Sequence, residues 1–154
     1  MKNIVIIGAG YGGLTAAALL GKEGHQVTVI EKNEQPGGKA SLLEKDGFSF
    51  DMGPQVFDDF FAEFGKDATR DDIVVKSLFT HRDFKERYNA YKGTGLGMAH
   101  TLWQSAVFRP KHKSSKVKNL YYTGQYNHPG VGVPTTVISS QILVKELEKM
   151  GVLS

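Results

Sequence analysis

The chain has no cysteine. A disulfide framework and a thiolate metal site are therefore both excluded. No apolar run approaches the roughly 20 residues that a membrane-spanning helix requires. The formal net charge is only +3, too small to argue for a nucleic-acid partner. His25, His81, His100, His112 and His128 show no metal-ligand spacing, so no metal is expected. No serine-nucleophile motif and no paired-carboxylate arrangement can be read, and no catalytic side chain is assigned. Met1-Lys2-Asn3 leads straight into a strand-like run with no cleavage pattern, so no signal peptide is expected. What remains is a chain of 154 residues, 40% hydrophobic and 23% charged, the size and balance of one soluble globular domain with a cytoplasmic address.

Glycine is in mild excess, and its 18 copies cluster. The first cluster lies in NIVIIGAGYGG, starting at Asn3. Ile4 to Ile7 is a β-branched run that reads as a strand buried on both faces of a parallel sheet. Leu14 to Leu20, LTAAALL, is a strong helix former, and Gly24 is a good stop. Gln26 to Ile30, QVTVI, is a second strand, ending at Glu31. Strand, glycine turn, helix, strand and acid follow one another in the order that dinucleotide binding needs. Gly8 permits the tight turn, Gly10 lets a pyrophosphate approach the backbone, and Gly13 lets helix and strand pack closely. Gly12 belongs to the same turn and joins the candidate contacts. The helix start offers unpaired N–H groups and partial positive charge to phosphates. Glu31 stands where a carboxylate accepts hydrogen bonds from a ribose diol, and it disfavours the 2′-phosphate of NADP.

The following stretch, KNEQPGGKASLLEKDGFSFDMGP, predicts a β-hairpin: Leu42 to Lys45, a turn at Asp46-Gly47, then Phe48 to Phe50. Its double glycine and basic residue, Gly37-Gly38-Lys39 after Glu31-Lys32, resemble the flavoproteins that include amine oxidases, protoporphyrinogen oxidases and carotenoid desaturases. That resemblance implies FAD as cofactor, with Lys32, Gly38 and Lys39 near its central part and Met52, Gly53 and Pro54 beside the isoalloxazine. The hairpin then carries the glycine loop, so both readings hold together.

Toward the other end, Leu120 to Thr123 reads as a buried strand ending at Gly124. A loop leads to a helix from about Thr135 to Met150, with Pro134 in its first turn and Val137, Ile138, Ile142, Leu143 and Leu147 on its apolar face. The helix start would stabilise negative charge on a reduced flavin. HPGVGVP after strand and glycine resembles the FAD signature of bacterial-type carotenoid desaturases, the phytoene and dehydrosqualene desaturase group. It implies Gly124, Gly132 and Val133 as further cofactor contacts. His128, in the same loop, reads as structural or solvent-facing. Upstream, Thr80 and Asp83 have capping-box spacing, and Gly93, Gly95 and Gly97 read as turn and close-packing residues. Arg109, Lys111, His112, Lys113, Lys116 and Lys118 read as a solvated basic loop, with contact to an anionic membrane as the alternative.

The resemblance covers two blocks, residues 1–66 and 72–150, and lacks the substrate and membrane-associating region between them. It implies an α/β fold: a single Rossmann-like FAD-binding domain over 1–154, a parallel sheet with flanking helices and a small β-hairpin. The implied activity is oxidoreductase chemistry in which flavin accepts hydride equivalents from a polyene precursor, weak or absent in this chain alone. The alternatives are an FAD-binding module without turnover and a cofactor-free interaction domain. Val56, Phe57, Phe60, Phe61 and Phe64 form an apolar stripe on a predicted helix, which packs on the chain's own sheet or supports a homodimer. Peripheral membrane contact at the inner face would be weak without the missing region.

Overall fold

The structure, a computed structural model, describes residues 1–45, 47–51, 80–99 and 101–153. Strand β1 (Asn3–Ile7) runs through the glycine turn into helix α1 (Tyr11–Lys22) and returns as β2 (Gln26–Ile30). β1 and β2 pair in parallel, with Asn3 opposite Gln26 and Ile7 opposite Ile30. The helix stops where expected. Gly24 adopts a positive φ of 84° and donates its N–H to the Gly21 carbonyl at 3.0 Å. A short helical turn at Gly38–Ala40 precedes the antiparallel hairpin β3 (Leu42–Lys45) and β4 (Phe48–Asp51). Among the described residues, helix α2 (His81–Tyr88) comes next, and α3 (Val133–Lys149) is the last and longest helix.

Local sequence accounts for most of these ends. Thr80 caps α2 through a complete capping box: Asp83 accepts from the Thr80 N–H at 2.6 Å, and Arg82 N–H donates to the Thr80 hydroxyl at 3.3 Å. Pro134 sits in the first turn of α3, where a missing N–H costs nothing.

The core lies between α1 and α3. Ala16 and Leu20 from α1 meet Leu143, Val144 and Leu147 from α3, and all five are buried. Each large aliphatic side chain there contributes about 1.5–3 kcal/mol relative to exposure. The buried face of α3 also includes Ser139 and Ser140, whereas Ile138 is 42% exposed. The helix is therefore rotated from the expected apolar face, because its closest neighbour is the glycine- and alanine-rich α1. Small residues there let the backbones approach.

Three other expectations are corrected. β1 and β2 are not buried on both faces: Ile6 points at α1, but Val5, Ile7 and Ile30 are 61%, 84% and 53% exposed. Among the described residues this sheet has two strands, and α1 covers one face. Leu120 to Thr123 does not form a sheet strand. Tyr121 makes an isolated bridge to Lys113, because residues 112–114 and 120–122 fold back on each other. Nor is the basic run uniformly solvated. Arg109 and His112 are buried at 4% and 3% exposure, held by hydrogen bonds to the carbonyls of Gln125 and Tyr122. Lys111, Lys113, Lys116 and Lys118 remain exposed. The Val56–Phe64 stripe, and with it the dimer reading, lies outside the described residues.

Candidate functional site

The site is a meeting of backbones at the start of α1. Gly8 turns the chain at φ 100° and donates to the Ile30 carbonyl at 2.7 Å, which ties the turn to the end of β2. Gly13 sits against that turn so closely that a Cβ there would lie 2.0 Å from the Gly8 carbonyl oxygen. Gly10 is the N-cap of α1, and it offers no side chain to cap the helix. The N–H groups of Tyr11, Gly12 and Gly13 therefore have no intrahelical acceptor.

Two more segments close on this helix end. Gly37 donates to the Ala9 carbonyl at 2.8 Å and bridges Gly10, and a Cβ at Gly38 would sit 3.1 Å from the Gly10 Cα. On the other side, a Cβ at Gly12 would sit 3.2 Å from the Gly124 Cα and 3.3 Å from the Thr136 Cγ2. Gly8, Gly10, Gly12, Gly13, Gly38 and Gly124, far apart in sequence, are thus brought to one place. Gly132 and Val133 begin α3, as its N-cap and first residue.

A small polar network fixes the approach of α3. The Ser140 hydroxyl, fully buried, donates to the Gly12 carbonyl at 2.7 Å and lies 2.9 Å from the Thr123 hydroxyl. Gly124 N–H donates to the Ser139 hydroxyl at 3.2 Å. Neither serine nor Thr123 was singled out from the sequence. The signal available was a Ser-Ser pair on an otherwise apolar helix, where small hydroxyls suit a tight helix contact.

Glu31 is turned into the glycine loop. One carboxylate oxygen accepts from Ala9 N–H at 2.6 Å, and the other accepts from the N–H and side-chain amide of Asn33 at 2.9 and 3.0 Å. The backbone donors at Asn33 and Ala9 hold its pKa below the ordinary value of 4.5, against a smaller opposing effect of desolvation. The carboxylate is charged and fixed at the lip of the turn.

The two lysines go elsewhere. Lys32 Nζ donates to the Glu86 carbonyl at 2.6 Å and reaches Asn89 Oδ1 at 3.3 Å, clamping the end of α2. Lys39 Nζ donates to the Gly95 carbonyl and lies 5.5 Å from the centre of the Phe84 ring. Burial lowers its pKa. Gly93 and Gly95 support this layer by packing against His81 and Phe84, and Gly97 packs against Tyr126. Met52, Gly53 and Pro54 lie outside the described residues. No group of metal-ligating side chains occurs among the described residues, and no helix there is long and apolar enough to cross a membrane.

The geometry fits a dinucleotide. The start of α1 has no side-chain cap and is bordered by the bare α-carbons of residues 8, 10, 37 and 38, and a fixed carboxylate stands at the end of β2. Residues 6–68 match the NAD(P)-binding Rossmann-like domain family. The chain carries a Rossmann-like domain, and its relatives are carotenoid desaturases. It is 53% identical over 72 residues to a carotenoid 3,4-desaturase of Haloarcula japonica, covering 47% of this chain and 14% of that protein. It is 49% identical over 82 residues to a 4,4′-diapophytoene desaturase (4,4′-diaponeurosporene-forming) of Staphylococcus haemolyticus, covering 51% of this chain and 16% of that protein. An oxidoreductase of known structure from Methanosarcina mazei aligns with 35% of this chain and 13% of its own, at 46% identity and a TM-score of 0.32. The Rossmann-like chain thus matches about one seventh of the length of these desaturases.

Proposed function

We propose that this chain is an FAD-binding module of the carotenoid desaturase type, which holds the flavin dinucleotide but turns over polyene weakly or not at all by itself. The observation that carries the reading is the meeting of Gly10, Gly37 and Gly38 over the uncapped start of α1, with Glu31 fixed beside it. The α1 amides and Gly38 would hold the diphosphate, and Glu31 would hold a ribose diol. Gly12 and Gly124, in contact across the helix pair, would let the cofactor run from α1 toward the start of α3. Bound FAD supplies a two-electron acceptor for a saturated C–C unit. Glu31 favours a free 2′-hydroxyl, which sets FAD and NAD apart from NADP. The similarity to carotenoid desaturases supports FAD over NAD.

The test is direct. The purified protein should be yellow, and denaturation should release FAD, identified by chromatography against FMN and NAD standards. A colourless protein that takes up neither FAD nor NAD in calorimetry would remove the reading.

One observation favours a second reading, a cofactor-free interaction domain: the exposed Val5, Ile7 and Ile30 on the open face of β1 and β2. A stable dimer by light scattering, without bound flavin, would support that reading instead. Peripheral contact with an anionic membrane would rest on Lys111, Lys113, Lys116 and Lys118, and sedimentation with anionic vesicles would detect it.

A further inference from the structure

The far end of α3 borders a cleft that the cofactor reading does not use. Residues 112–122 fold back on themselves: Ser114 N–H donates to the Leu120 carbonyl at 2.9 Å, and Tyr122 N–H donates to the His112 carbonyl at 2.7 Å. The tip between them is pinned from within. The Ser114 hydroxyl accepts from the N–H groups of Lys116 and Val117 at 3.2 and 3.1 Å, and Asn119 completes the turn at φ 59°. This tip and the residues just past α3 line a cleft of about 560 Å³, a volume that suits a small organic molecule. The start of α3 meets the glycine turn through Thr136 and Gly12. The cleft lies at the other end of a 17-residue helix, roughly 25 Å away along its axis. A diphosphate at the glycine turn therefore leaves it unfilled.

The lining divides by chemistry. The loop brings Lys113, Lys116 and Lys118 to the cleft, and no carboxylate lines it. Residues 87–145 contain no aspartate or glutamate at all. Among the described residues the one ion pair is His25 with Glu23, so no ion pair there neutralises any of the three ammonium groups. Like charges gathered on one short, pinned loop repel one another, and an anion between them relieves that repulsion. Val117, Met150 and Val152 supply apolar surface to the same cleft, and Val117 and Met150 are 54% and 42% exposed. The carboxyl end of a helix carries partial negative charge. An anionic head is therefore favoured on the loop side, and an apolar body on the side of Met150 and Val152.

We propose that this cleft binds a phosphate monoester with an apolar body, its head on the three lysines and its body on Val117, Met150 and Val152. A phosphate monoester carries close to two negative charges at neutral pH, more than a carboxylate or a sulfate ester offers, and so answers several ammonium groups at once. The proposal stands apart from the FAD reading. The same head group occurs on soluble esters and on membrane lipids, and the test separates the two.

Monomeric octyl phosphate, kept below its micellar concentration, would be titrated into the full chain by calorimetry. One equivalent should bind, at least about tenfold tighter than methyl phosphate, a factor that two buried methylenes supply. Lys116→Gln combined with Lys118→Gln should weaken binding at least about tenfold, through the loss of two charge-assisted contacts. Lys111→Gln, on the same basic run but outside the cleft, should leave the affinity unchanged. Val117→Asp puts a carboxylate into the cleft from an exposed position and should abolish binding. It decides the matter if the double lysine variant does not fold. Equal losses from Lys111→Gln and Lys116→Gln would show that binding follows net charge alone, and would overturn the proposal. Octyl sulfate binding as tightly as octyl phosphate would overturn the assignment of a doubly charged head. Capture of phosphatidic acid vesicles without binding of monomeric octyl phosphate would assign the lysines to a membrane surface, and no saturable binding would leave the cleft without a ligand; both overturn it. A colourless protein that binds octyl phosphate removes the FAD reading and leaves this one intact.

Discussion

Replacing Gly13 by alanine tests the close approach on which the site depends. The added Cβ would lie 2.0 Å from the Gly8 carbonyl oxygen, 3.2 Å from the Gly8 carbonyl carbon and 3.2 Å from the Ile6 Cγ2. A tolerable C···O contact is about 3.3 Å, so the helix start and the turn must separate by about 1.3 Å. That oxygen is backbone, and its residue is anchored by the 2.7 Å bond from Gly8 N–H to the Ile30 carbonyl. It cannot rotate away as a side chain would. Overpacking of this kind costs about 1–3 kcal/mol, and a clash with fixed backbone belongs at the upper end. Alanine's better helix propensity returns about 0.5–1 kcal/mol. The net loss should be about 2 kcal/mol. Gly21 is the internal control. It lies in the same helix, and a Cβ there meets nothing within 4 Å. Gly21→Ala should therefore gain about 0.5–1 kcal/mol from propensity alone. Urea unfolding of the flavin-free protein gives both values, provided the slope m is unchanged between variants. The two should differ by about 2.5–3 kcal/mol, roughly a hundredfold in the folding equilibrium. Equal midpoints for the two variants would refute the claim that the turn and helix are in steric contact.

Three further outcomes are expected. Glu31 has a lowered folded-state pKa, so the stability it contributes is present above its unfolded value near 4.5 and is lost as pH falls through the lower folded value. Unfolding measured between neutral and strongly acid pH should show that loss, Glu31→Gln should flatten it, and Glu31→Ala should weaken FAD binding at neutral pH. Ser140→Ala removes the buried bond to the Gly12 carbonyl and should cost about 1–2 kcal/mol in urea unfolding, with flavin affinity falling in parallel. Thr80→Ala should cost about 1 kcal/mol and lower the far-UV circular dichroism contribution of α2, since the capping box holds that helix start.

The first half of the fold was legible because its signals are local. β-branched runs, a glycine turn and a terminating acid fixed β1, α1 and β2, and Asp46-Gly47 marked the hairpin. The meeting of Gly10 with Gly38, and of Gly12 with Gly124, was not legible. Contacts between distant segments leave no periodic trace, and only the wish for small residues at both partners hinted at them. Leu120 to Thr123 shows the opposite failure. Its residues suit a strand, but strand formation depends on a partner edge, and residues 112–114 supplied a nearer one. On α3, Leu143 and Leu147 are buried as expected, but Ile138 is exposed, and Ser139 and Ser140 are buried because their hydroxyls bond to neighbouring groups, a pairing that periodicity does not show. Arg109 was read with its lysine neighbours as one charged stretch. Only three-dimensional packing separates the side chain that turns inward from those that face water.

The bond from Ser140 to the carbonyl of Gly12 spans 128 positions of sequence. During synthesis, then, the nucleotide turn leaves the ribosome long before the helix that braces it. An early α1 has its own hydrogen bonds but no wall on the side where Thr136 and Gly124 will stand. Closing so long a loop is costly in chain entropy and slow relative to local helix formation. Competence to hold a ligand should therefore arrive late and in a single step, when the two chain segments dock, and cofactor present at that moment would act as a template for the final fold.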